Sequence, residues 1–101
     1  MIKTQTTIKQ KYDRIIGGVP EEAEEKFPWL KTATFHSAII NITADELQWR
    51  FGVWEDGVWE DGIWEDGVWR GGTWLQGVMW SNVRSDFVKI IQKNGTLEEA
   101  E

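Results

Sequence analysis

The sequence has no cysteine, which excludes disulfides, thiolate zinc sites and cysteine nucleophiles together. A single histidine, His36, excludes a multi-histidine metal site. No run approaches the ~20 apolar residues that a membrane-crossing helix needs. The stretch from Met1 to Gln10 also lacks the apolar core of a secretion signal. The expectation is therefore a cytoplasmic protein with no membrane partner. Positive charge is scarce too: 11 Lys+Arg against 17 Asp+Glu leave a net charge of -6. Direct nucleic-acid binding needs a basic face and is not expected. Imitation of nucleic acid is compatible with the same balance. At 101 residues the chain holds one small domain.

Tryptophan is abundant where so much else is missing, with 8 in the chain. Trp49, Trp54, Trp59, Trp64, Trp69 and Trp74 keep a beat of five, and Met79 takes the next place. Glycines keep the same beat from Gly52 to Gly77, and a β-branched residue precedes each following tryptophan, as in Gly52-Val53-Trp54. On a helix, steps of five would advance about 140° and scatter the indoles around the axis. On a straight strand, five is odd, so successive indoles would face opposite sides. What fits is a short extended step followed by a corner, repeated. Gly and Trp then face one way and the β-branched residue the other. Six large rings left in water would form an unusual apolar surface, so the indoles are expected to face inward.

The Gly-x-Trp-x-x pattern resembles the pentapeptide-repeat proteins, and in this variant it resembles repeat proteins of large tailed bacteriophages. The resemblance implies a mainly β fold: a short right-handed quadrilateral β-solenoid, four pentads to a coil. Residues twenty apart would then stack, Trp49 over Trp69, Trp54 over Trp74 and Trp59 over Met79. The strong repeat covers 47–80. Ala33-Thr34-Phe35 and Ala38-Ile39-Ile40 read as degenerate earlier pentads, extending the solenoid to 33–80 with an irregular corner around Thr43–Glu46. Residues 1–32 form an N-terminal cap with a short helix over 20–27, opened by Pro20 and stopped by Pro28. Tyr12, Ile15, Ile16, Phe27, Trp29 and Leu30 are its covering residues. Residues 81–101 form the other cap, with a strand at Phe87–Ile91, a turn at Asn94-Gly95 and a loose tail from Leu97. Incomplete caps would let the solenoid ends pair into a homodimer.

Function has to come from the surface. The corners Glu55–Asp56, Glu60–Asp61 and Glu65–Asp66 place six carboxylates in twelve residues. They are the expected contact for a basic protein partner, and the plain alternative is that they only keep the corners soluble. The resemblance implies an inhibitory, phage-encoded module, with DNA mimicry as one form of it and the host cytoplasm as its location. Trp80 follows Met79 and is expected to face outward as an interface residue. Other readings are a structural or oligomerisation element of a virion or scaffold, and carbohydrate binding through exposed tryptophan. No enzyme, cofactor or metal is expected. The calcium-loop pattern is absent, the glycines do not form a phosphate loop, and His36 and Ser37, as neighbours on a strand, are expected to face opposite ways.

Overall fold

The beat of five folds as a series of very short strands, each preceded by a glycine that no side-chain-bearing residue replaces easily. The computed structural model describes residues 11–100; the stretch Met1–Gln10 of the expected cap and the last residue of the tail lie outside them. After the long strand β3 (Leu47–Asp56) come β4 (Val58–Trp59), β5 (Ile63–Trp64), β6 (Val68–Trp69), β7 (Thr73–Trp74) and β8 (Val78–Ser81). The fold is mainly β, with a small helical part before the repeat.

Pairing among these strands is parallel and links residues fifteen apart. Trp49 pairs with Trp64, Trp54 with Trp69, Trp59 with Trp74 and Trp64 with Met79. The expected spacing of twenty is thus corrected to fifteen: three pentads, not four, separate stacked residues, and the quadrilateral coil is ruled out. Main-chain hydrogen bonds follow the same register. The Trp49 carbonyl accepts from Glu65 N at 2.8 Å, and the Trp54 carbonyl accepts from Arg70 N at 2.8 Å.

The interior explains the number three. Trp49, Trp54 and Trp59 meet edge to face, with ring centroids 5.7, 5.6 and 6.1 Å apart. Three such rings fill a narrow centre and leave no side for a fourth column. Each then stacks nearly flat on its successor: Trp49 on Trp64 at 4.9 Å, Trp54 on Trp69 at 5.5 Å and Trp59 on Trp74 at 5.2 Å. Both arrangements suit the ring quadrupole, and each such pair adds about 0.5–1.5 kcal/mol beyond area burial. The inward reading of the indoles holds: Trp49, Trp54 and Trp59 are fully buried, Trp64 and Trp74 nearly so, and Trp69 half-buried.

The N-terminal neighbours of the repeat do not continue it. β2 (Thr34–Ile42) runs antiparallel to β3, with Phe35 opposite Trp54 and Ile40 opposite Trp49. The expected early pentads at Ala33 and Ala38 are corrected accordingly. The irregular corner is a chain reversal, where Thr43 Oγ1 donates to the Glu46 carbonyl at 2.8 Å and accepts from Glu46 N at 2.9 Å. The small and large columns nevertheless continue through the reversed strand. Ala38 sits against Gly52, Ala33 against Gly57, and the Phe35 ring stacks on Trp54 at 5.5 Å.

The remaining N-terminal elements close that end. β1 (Tyr12–Ile16) lies parallel to β2, and α1 (Pro20–Lys26) has the expected proline start with Glu21 and Glu22 in its first turn. Pro28 also opens a second short helix, α2 (Trp29–Thr32), which sets Trp29 edge-on to Trp59 at 5.3 Å. Tyr12 meets Phe35 edge-on at 5.1 Å. Of the expected covering residues, Ile16 alone is exposed.

At the other end β8 turns back into β9 (Asp86–Lys93), which pairs antiparallel with β10 (Thr96–Glu99). The expected strand and the Asn94-Gly95 turn are both present, with φ of 54° and 81° at the turn. The expected loose tail is corrected: Leu97–Glu99 is paired strand, and Arg84 Nε reaches Glu99 Oε2 at 2.7 Å. β9 closes over Trp74, whose Nε1 donates to the Ile90 carbonyl at 3.1 Å.

Candidate functional site

A fifteen-residue register assigns every corner residue to one of three edges. Glu55–Asp56, Glu60–Asp61 and Glu65–Asp66 therefore fall on three different edges and make no common patch. Glu55 and Glu65 each meet the arginine fifteen away. Glu65 Oε1 accepts from Arg50 Nε at 2.9 Å. Glu55 is met by Arg70 at 3.7 Å on one side and by His36 Nε2 at 3.0 Å on the other. Two of the three glutamates are thus paired within the chain. Asp61 and Asp66 each fold one oxygen onto the following glycine N–H, at 2.9 and 2.8 Å, which fixes the corner. Glu60 and Asp61 are exposed and follow no basic residue at fifteen.

One edge differs from the others. It runs Arg50–Phe51, Glu65–Asp66, Trp80–Ser81, so it carries both a free carboxylate and exposed rings. Asp66 is exposed and, among the described residues, forms no ion pair. Trp80 is 42% exposed and stands edge-on to Phe87, itself 40% exposed, with centroids 5.2 Å apart. Phe51, on the rung beneath, is 50% exposed. The Trp80 ring is fixed from its own turn, since Nε1 donates to Asn82 Oδ1 at 3.0 Å. Glu65, Asp66 and Trp80 together line two adjoining recesses of about 390 and about 540 Å³. The sequence reading named Glu65, Asp66 and Trp80 separately; the fold brings them to one place. It missed Arg50, Phe51 and Phe87, and the signal for the first two was their spacing of fifteen from Glu65 and Asp66.

His36 departs from expectation. A bulge at Ser37, with φ of 56°, turns both side chains to the same side, and Ser37 Oγ lies 3.4 Å from His36 Nδ1. With Glu55 on Nε2, a hydroxyl, an imidazole and a carboxylate stand in a line. The imidazole side chain is 49% exposed, the contact to Ser37 is at the long limit, and water competes for each partner. Activation of a serine needs a shorter contact in a drier place. The line reads as a surface network tying β2 to β3.

Among the described residues no group of three or more His, Asp or Glu side chains has metal-holding geometry, and no helix is long and apolar enough to cross a membrane. The indole Nε1 atoms of Trp49, Trp54, Trp59 and Trp69 are buried without a hydrogen-bond acceptor. Those of Trp49, Trp54 and Trp59 belong to the fully packed part of the columns. Comparison with protein-family models, curated proteins and solved structures finds no match for this chain.

Proposed function

We propose that the protein is a non-enzymatic binding module whose repeat is a three-sided β-solenoid, and that it takes a basic segment of a partner protein on the Trp80–Asp66 edge. The observation that carries this reading is the exposed Trp80–Phe87 pair beside an Asp66 with no cation of its own. A lysine or arginine stem lies well along an indole, and its charged head is drawn both to the ring face and to a carboxylate. The net charge of -6 favours encounter with a basic partner. The edges bearing Glu55–Asp56 and Glu60–Asp61 contribute to that long-range field more than to contact. An inhibitory role in a host cell would be one use of such capture.

The test is a titration of a fluorescein-labelled Lys/Arg-rich peptide, followed by anisotropy of the label at low and high salt. Binding is expected to weaken with salt and to fall about tenfold in Asp66→Lys or Trp80→Ala. Affinity indifferent to salt and to both substitutions would overturn the reading.

A further inference from the structure

Five of the six repeat indoles are covered on their C-terminal side. Trp49, Trp54 and Trp59 carry Trp64, Trp69 and Trp74, Trp64 carries Met79, and Trp74 lies under β9. Trp69 has no such cover from the repeat. The residue fifteen on is Arg84, in the turn between β8 and β9, where the chain has left the repeat. Trp69 is correspondingly the one half-buried indole of the six. It lines a cavity of about 430 Å³ together with Met79, Leu97, Arg70 and Thr96.

We propose that this vacated rung binds a flat aromatic ring carrying an anionic group. The column below sets the shape. Phe35, Trp54 and Trp69 stack at 5.5 Å per step with interplanar angles of 10° and 5°, so the next place in the series suits a ring lying parallel to Trp69. Met79 and Leu97 supply apolar, adaptable neighbours for such a ring. Arg70 supplies the charge. Its side chain is 62% exposed and its Nε stands 3.7 Å from Glu55, a loose pair that leaves guanidinium N–H groups free for a carboxylate. A sugar ring is a poorer fit, because Thr96 brings the single hydroxyl among the lining side chains and pyranose hydroxyls need several polar partners. This place is lined by residues other than Asp66, Trp80 and Phe87, so the two readings stand or fall separately.

The experiment uses the full chain labelled with ¹⁵N, titrated with indole-3-propionate. The Trp69 Nε1–H resonance is identified by its loss in Trp69→Phe. A saturable shift of that resonance is expected, with the Trp80 resonance unmoved. Neutral indole is expected to bind about tenfold more weakly, and Arg70→Gln to bring the acid down to the level of indole. Leu97→Trp, which offers an internal ring to the same cavity, is expected to abolish the shift while keeping the dispersed backbone spectrum. Absence of a saturable shift at Trp69 up to the solubility limit overturns the proposal. So does an equal response to methyl β-glucoside, or undiminished binding by Arg70→Gln. Should Leu97→Trp fail to fold, Arg70→Gln on the exposed rim decides alone.

Discussion

The indole Nε1 of Trp49 lies 3.1 Å from the point where a Cβ on Gly67 would stand, so an indole of one rung borders the empty side-chain place of a glycine in the next. The same relation joins Trp54 to Gly72 at 3.2 Å and Trp59 to Gly77 at 3.1 Å. Main chain is closer still, with the Gly52 carbonyl oxygen overlapping that Gly67 position. Gly67 also has φ of 121°, where a side chain is strained whatever the space.

Gly67→Ala is therefore expected to lose roughly 3 kcal/mol or more, since strain and a main-chain clash act together. Gly95→Ala is the control. It shares a positive φ, 81°, but has nothing within 4 Å, so it is expected to cost about 1 kcal/mol. Urea denaturation of both variants compares them; equal losses would mean that the close approach at Gly67 is not limiting.

Two tryptophans of like burial differ in their polar edge. Trp74 Nε1 donates to the Ile90 carbonyl, whereas Trp54 Nε1 has no acceptor. Phenylalanine at either place removes similar apolar volume. At Trp74 it also breaks a hydrogen bond and leaves a buried carbonyl with one partner fewer. Trp74→Phe is expected to be the more destabilising by about 1–2 kcal/mol in equilibrium unfolding. The reverse order would show that the unpaired indoles find some stabilising partner, such as a neighbouring ring face.

Tyr12 makes stability depend on alkaline pH. Its hydroxyl donates to Glu24 Oε2 at 3.1 Å, and burial first, then the Glu24 charge and that hydrogen bond, push its pKa well above the usual phenol value. The folded chain thus keeps the proton that the unfolded chain releases. The contribution is complete below pH ~10 and declines above it, by up to about 1.4 kcal/mol per pH unit. Burial lowers the pKa of Lys11, which acts in the opposite sense in the same range. The difference between wild type and Tyr12→Phe isolates the phenol: melting between pH 10 and 12 should fall more steeply for wild type. Parallel curves would remove Tyr12 as the source.

Exposure of the indoles can be checked without a partner. Trp80, at 42%, and half-buried Trp69 should account for nearly all emission quenched by acrylamide. Trp80→Phe should shift the emission to the blue and leave only the smaller quenched fraction that belongs to Trp69. Quenching that survives this change at full strength would mean that the columns open to solvent.

The inward indoles, the outward β-branched residues, the helix opened by Pro20 and the Asn94-Gly95 turn were legible because burial and turn chemistry act within a few residues. The stacking interval was not, since every pentad is alike and a beat of five is equally compatible with three or four pentads between stacked residues. One clue was present. At a spacing of twenty, Arg50 would lie on Arg70; at fifteen, Arg50 meets Glu65 and Arg70 meets Glu55. The direction of β2 was hidden for a related reason: Ala38 and Phe35 present small and large surfaces to Gly52 and Trp54 equally well when the chain runs backwards. The Trp80–Asp66 edge, which the proposed function uses, needed that interval before its members could be grouped.

Near-identical pentads have a cost in uniqueness. A rung slipped by a whole turn would find the same glycine, the same indole and almost the same charges, so nothing inside the array records its own phase. Phe35 and Trp29 below, and Ile90 and Gln92 above, are the non-repeating marks against which the array is set. The termini thus act as the molecule's index, and a chain stripped of either would be free to settle in several alignments of similar energy.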